Sequence, residues 1–165
     1  MKTNLSVAII TKNEEVNIRT CLESIKWVDE IIVLDSGSTD ATVAICREYT
    51  DKVHETDWIG FGPQKNRALN MAQGDWVLAL DADEWVTPAL KEEILRVVKD
   101  PGIYVAFEIP RLSSYCGQYI HHSGWRPDYV TRLGRRGKVR FNDRLVHERM
   151  IVDGRTGRLS NSIMH

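Results

Sequence analysis

No apolar run in the 165 residues approaches the roughly 18 that a membrane-spanning helix needs, which argues against an integral membrane span. The N-terminus also lacks a signal-peptide pattern: one lysine, Thr3 and Asn4 precede a short apolar run that meets Asn13, Glu14 and Glu15. Cysteine is scarce. Cys21, Cys46 and Cys116 are odd in number and widely spaced, which speaks against a disulfide framework or a zinc site and for buried, reduced thiols in a cytoplasm. Neither Gly-x-Gly-x-x-Gly nor Gly-x-x-x-x-Gly-Lys-[Ser/Thr] occurs, so dinucleotide-binding and P-loop readings have no motif to rest on. There is no internal repeat, low-complexity tract or flexible linker, and the length fits one domain over residues 1–165.

Charge is present but unevenly placed. Residues 1–100 hold 11 Lys plus Arg against 18 Asp plus Glu, and residues 101–165 hold 11 against 5, so a net −1 conceals halves of −7 and +6. The arginine-rich run from Arg126 to Arg149 reads either as a cationic surface for an anionic partner or as the solvated rim of a β-hairpin.

The first hundred residues alternate short apolar strands with amphipathic helices, the pattern of an open parallel α/β sheet. Strands are expected at Leu5–Ile10, Ile31–Leu34, Val53–Glu55 and Trp76–Leu80. Asn13 is expected to cap a helix whose apolar positions are Ile18, Leu22 and Ile25, with further helices near Ala41–Tyr49, Pro63–Gln73 and Pro88–Val98. After Pro101 and Gly102 the pattern changes to strands without convincing helices between them: Tyr104–Ile109, Tyr115–Ile120, Tyr129–Leu133, Lys138–Phe141 and Val146–Val152. This predicts an antiparallel extension of the sheet.

The strand Trp76–Leu80 ends abruptly in Asp81, Ala82, Asp83 and Glu84. Three carboxylates in four residues repel one another unless a cation sits among them, and a divalent metal is the expected one. The alternative is a solvated turn before a helix opened by Thr87 and Pro88. With 12 Asp in the chain, chance alone supplies about one Asp-x-Asp pair, so its placement carries the argument. Ligands of open α/β sheets bind outside the carboxyl ends of the strands. Three polar clusters fall there, Thr11–Glu15, Asp35–Asp40 and Asp81–Glu84, and all three are expected to line one crevice. Without a glycine cradle, a diphosphate bound in it needs a metal instead. Helix capping is the competing role for Asp35 and Asp40.

The segments VAIITKNEE, IIVLDSGSTDAT, QKNRALNMAQGDWVLALDADE and FNDRLVHERM resemble, in order and spacing over nearly the whole chain, the inverting, nucleotide-sugar-dependent glycosyltransferases of family 2, whose fold is called GT-A. Among these the chain is most similar to bacterial lipopolysaccharide core β-1,4-glucosyltransferases, which carry similar TKNEE, DSGSTD, DADE and GWxPD segments. The resemblance implies an α/β, Rossmann-like open sheet, mostly parallel, with an antiparallel C-terminal extension. Residues 1–100 would form the nucleotide-binding half and residues 101–165 the acceptor side. The chain stops where such relatives continue, so part of the acceptor site or a membrane-contact helix is expected beyond it.

By the same resemblance, Thr11, Asn13, Glu14 and Glu15 match the loop bordering the nucleotide, and Asp35 matches the acid that holds the uracil ring. Lys65 matches the basic residue facing the diphosphate. Asp81 matches the first Asp of Asp-x-Asp, near the ribose and metal, and Asp83 the direct metal ligand. Glu148 stands where the family carries its acidic base, with a salt bridge to Arg144 or Arg149 as its competing role. His165 lies where many such enzymes place a histidine near the metal or diphosphate. His121 and His122, beside Gly124 and Trp125, match the loop over the donor, in a structural or acceptor-contact role, with metal ligation as the competing role. The residue chemistry agrees, since Asp35 can accept a ring N–H, Lys65 is a cation, and a metal offsets charge on leaving UDP.

The expected activity is metal-dependent transfer of a hexose, glucose, from a UDP-sugar to a saccharide, with Mg or Mn as cofactor. The acceptor would be an anionic saccharide or glycolipid such as the lipopolysaccharide inner core. It would be reached at the cytoplasmic face of the inner membrane by a cytoplasmic, peripherally attached protein. Transfer to polyprenyl phosphate would use the same donor site. A nucleotide-sugar-binding module without turnover is the rival from another class. Nucleic-acid binding is disfavoured by the near-neutral charge, the acidic crevice and the lack of a motif.

Overall fold

The computed structural model describes residues 4–115, 118, 119 and 128–165, with backbone alone at 114, 115, 118 and 119. The chain runs β1 (Leu5–Thr11), α1 (Ile18–Glu23), β2 (Glu30–Asp35), α2 (Thr42–Arg47), β3 (Val53–Glu55), α3 (Phe61–Met71), β4 (Trp76–Asp81), β5 (Trp85–Val86) and α4 (Pro88–Lys99). It continues as β6 (Tyr104–Leu112), β7 (Ser114–Tyr115), β8 (Gln118–Tyr119), β9 (Asp128–Arg135), β10 (Val139–Phe141), β11 (Met150–Val152), β12 (Arg155–Arg158) and β13 (Ile163–Met164).

β1 is apolar on both faces because both are covered, as parallel strands require. Leu5, Val7 and Ile9 enter a core with Ile18 and Leu22 of α1 and Leu90 and Ile94 of α4. Ala8 joins Leu34, Val77 and Ala79 against Ala68 and Leu69 of α3. Gln64, Lys65, Ala68 and Leu69 recur at helical spacing on the buried side of α3, so Lys65 is carried inward with the apolar stripe.

The main sheet has the order β3-β2-β1-β4-β9-β6-β13-β5, with β12 also on β6. β2 and β4 flank β1, both parallel to it. Successive connections therefore leave β1 in opposite directions, and the switch point beside β1 is where such sheets hold ligands. The expected extension is antiparallel where β9 joins β4 and β6, but β12 and β13 run parallel to β6.

Several local expectations are corrected. Asn13 does not cap α1: it sits at φ 52 in a turn, and Asn17 is at the helix start. Trp85 and Val86 form a strand because Ile163 and Met164 pair with them. The strand expected over Tyr115–Ile120 is two short strands, β7 and β8, paired antiparallel. Ile120, Cys116, His121, His122, Gly124, Trp125 and Arg126 lie outside the described residues. Of Val146–Val152 only Met150–Val152 is strand; the segment before it docks on the N-terminus of α3, whose Phe61 and Gly62 N–H groups donate to the Leu145 and Arg144 carbonyls.

Burial holds the Cys21 thiol well above its ordinary pKa and lifts Cys46 to about 11, so both are inert apolar fillers at neutral pH. No helix among the described residues is long and apolar enough to cross a membrane.

Candidate active site

The register levels the ends of three strands: Thr11 lies opposite Asp35, and Ile10 opposite Asp81. A cleft of about 440 Å³ opens there, lined by Thr11, Lys12 and Glu14 after β1, Trp58 and Phe61, Lys65 of α3, Asp81 and Asp83 after β4, and Glu148. Six residues singled out in the sequence, Thr11, Glu14, Lys65, Asp81, Asp83 and Glu148, thus line one cleft. Thr11 Oγ1 is buried and has no hydrogen-bond partner among the described residues, an unmet polar group facing a ligand-sized space.

The acidic turn is not neutralised as its spacing implies. Glu84 is fully buried, with Arg132 Nη1 donating to its Oε1 at 2.6 Å. Arg111 Nε lies 2.8 Å from Glu84 Oε2 but is off-line for a hydrogen bond, so that contact is ionic. Asp81 pairs with Lys65 at 3.2 Å and Arg132 at 3.3 Å. Burial works to raise the Asp81 pKa, but Arg132 and then Lys65 outweigh it and hold the carboxyl at about 2. Protein cations therefore answer two of the three carboxylates, and Arg132 belongs to the interior, not to a cationic surface. Asp83 is different: its Oδ2 meets His165 Nε2 at 2.8 Å.

His165 is brought there by tertiary structure. Ser160 and Asn161 donate their N–H groups to the buried Glu93 carboxylate, each at 2.8 Å, and β13 then pairs with both β5 and β6. A carboxylate oxygen and an imidazole nitrogen are suitable donors for a divalent ion that takes its other positions from a diphosphate and water. No third His, Cys, Asp or Glu completes such a group among the described residues, so the ion would depend on the nucleotide for its remaining ligands.

Glu148 pairs with Lys65, whose Nζ is 2.5 Å from its Oε1, and not with Arg144 or Arg149. Its loop is tightly specified. Asn66 of α3 donates to the Phe141 carbonyl at 2.8 Å and accepts its N–H at 2.7 Å, and Asn142 Oδ1 accepts from the Arg144 and Arg149 N–H groups. Gly62 lets the loop approach, since a Cβ there would stand 2.1 Å from the Asn142 carbonyl oxygen. His147, just before Glu148, takes φ 57, a conformation uncommon outside glycine and concentrated at functional sites.

The structure does not bring Asn13, Glu15 and Asp35 to the cleft wall. Asn13 Oδ1 accepts from Thr39 N at 2.8 Å, and Glu15 accepts from Ala41 N at 2.9 Å, so both tie two loops together. Asp35 is fully buried and accepts from Gly37, Ser38 and the Ser38 hydroxyl. Asp40 caps locally, accepting from Thr42 N at 3.0 Å. Sequence reading missed Gln64, buried between Ser36 and Thr56, the Arg111–Glu84–Arg132 group, and the edge-on aromatic pair Trp58 and Phe61 at the cleft mouth. Only the aromatic pair had a usable signal, two large aromatic residues on either side of Ile59 and Gly60.

The fold is GT-A. The chain overlays the Staphylococcus aureus TarS 1-349 complex with UDP with a TM-score of 0.71 at 20% identity, over 98% of this chain and 60% of that one. Mycobacterium tuberculosis glucosyl-3-phosphoglycerate synthase, with Mn2+, UDP-glucose and phosphoglyceric acid, matches at 0.56 and 27% over 68% of this chain and 44% of that one. In sequence, the lipopolysaccharide core biosynthesis glycosyltransferase LpsC of Rhizobium meliloti is 32% identical over 99% of this chain and 63% of its own length. An uncharacterized glycosyltransferase of Rickettsia typhi is 40% identical over 68% of this chain and 40% of its own. The chain thus spans less than two thirds of these relatives. The model of glycosyl transferase family 2 matches residues 6–156, and the chain belongs to that family.

Proposed function

We propose that this chain forms the donor site and the base of a metal-dependent inverting glycosyltransferase. It would move a hexose, glucose, from a UDP-sugar to a saccharide hydroxyl. The observation that carries the reading is the convergence of Lys65, Asp81, Asp83 with His165, and Glu148 on one cleft at the switch point beside β1.

Lys65 binds the diphosphate, and the unsatisfied Thr11 hydroxyl offers a polar contact to the nucleotide. Asp83 and His165 would hold Mg or Mn, which supplies positive charge to the leaving diphosphate. Asp81, kept ionised by Arg132 and Lys65, faces the ribose side. Glu148 accepts the proton of the acceptor hydroxyl as that oxygen attacks the anomeric carbon and the bond to UDP breaks. Asp35 would read the uracil ring after its turn opens; Asn13 and Glu15 hold the bordering loops. The acceptor would be an anionic saccharide such as a lipopolysaccharide inner core, a reading supported by the likeness to LpsC and by exposed Arg144 and Arg149 beside Glu148. Residues 101–165 would serve the acceptor side, at the inner-membrane surface of the cytoplasm.

The test is release of UDP from UDP-glucose with Mn and a phosphorylated core oligosaccharide. Turnover in the wild type and a loss of at least about 100-fold in Glu148→Gln, with UDP still bound, supports the reading. Equal turnover in that variant overturns the assignment of the base.

A further inference from the structure

A second cleft of about 670 Å³ adjoins the first, lined by Arg111, Tyr129, Thr131, His147 and Arg149 among others. Lys65, Asp81 and Glu148 line both clefts. These three residues form one chain of ion pairs, with Lys65 Nζ 3.2 Å from Asp81 Oδ1 and 2.5 Å from Glu148 Oε1. We infer that Lys65 is a positioning residue that couples the clefts: a diphosphate in the first draws the ammonium off Glu148 and so frees the carboxylate that faces the second. This rests on the donor reading above.

Lys65 is 8% exposed, and both carboxylates beside it line the same two clefts. A buried cation of this kind changes partners by exchange, because leaving it alone costs far more than trading one anion for another. Its ammonium has three donors on a flexible stem, whereas Glu148 is held by a loop bonded through backbone to α3 at Phe61 and Gly62. The side chain of Lys65 is therefore the moving part. While it stays on Glu148, the ammonium occupies a carboxylate oxygen that an acceptor hydroxyl would need; once it turns to the diphosphate, that oxygen is released with the donor already in place.

Linkage makes the inference measurable, since whatever the donor does to Glu148, the charge of Glu148 does to the donor. Calorimetry of UDP and of uridine, with Mn, on the wild type, Glu148→Gln, Lys65→Met and the double variant reads it directly. Glu148→Gln is expected to bind UDP at least about fivefold more tightly, with uridine unchanged and no gain in the Lys65→Met background. Unchanged or weaker UDP binding by Glu148→Gln overturns the inference. So does a gain that survives Lys65→Met, because it would come from direct repulsion between Glu148 and the diphosphate. Should Lys65→Met fail to fold, the Nζ resonance of Lys65 in the wild type decides: a shift with UDP but not uridine supports the exchange, and none with either overturns it. Absence of UDP binding by the wild type would instead remove the donor reading itself.

Discussion

Asp83 and Glu84 are adjacent in the chain and differ in everything else. Glu84 is fully buried, clamped by Arg132 and Arg111 from distant strands, and its Oε1 also accepts the Asp81 N–H at 2.8 Å. Asp83 keeps 38% of its side chain exposed on a cleft wall, with one histidine beside it. Glu84 builds the turn, and Asp83 is what the turn presents. A run of like charges is thus divided by burial: a carboxylate matched by buried arginines is scaffold, and one left at a cleft with a weakly basic partner is free for chemistry.

The contrast is broken most severely at Glu84. Glu84→Gln strands two arginines and is expected to cost about 3–5 kcal/mol of stability in denaturant unfolding. A loss below about 1 kcal/mol would show that Glu84 is not the anchor of the turn. Asn66→Ala should cost about 1–3 kcal/mol, because both polar groups of the Phe141 backbone lose their partner. It should also lower turnover by releasing the loop that carries Glu148, measured alongside unfolding; wild-type turnover would detach that loop from catalysis.

Asp81 lies between the two cases. Its pKa in the fold, about 2 against an ordinary 3.8, means that its contribution to stability is present above pH 4 and is lost as pH falls towards 2. An Asp81→Asn chain should therefore show a shallower fall of stability over that window, and an identical fall would deny Arg132 and Lys65 their role. The smallest effect on stability is expected at Asp83: Asp83→Asn should stay within about 0.5 kcal/mol of the wild type.

The parallel half was legible because each strand is a short apolar run followed by a polar cluster, and helix spacing placed Ile18 and Leu22 on α1, whereas Ile25 is buried in the turn that follows it. The position of the cleft followed from the same pattern. What escaped was long-range. Trp85 and Val86 look like turn residues until Ile163 and Met164 arrive beside them. Leu145 and Val146 carry strand composition but are exposed, their segment held by the N–H groups of α3. Arg144 and Arg149 are the nearest cations to Glu148 in sequence, yet Lys65, more than 80 positions earlier, is its partner. Asn13 suits a helix cap locally, but Thr39 claims its side chain across the loop.

The central claim, that Asp83 and not its neighbours makes the cleft a metal-assisted nucleotide site, is tested most directly by calorimetric titration of UDP. The wild type and Asp83→Asn are compared with and without Mn. The account predicts Mn-dependent binding in the wild type that is lost in a variant of unchanged stability. Equal binding by both, or none by the wild type under any condition, would contradict it.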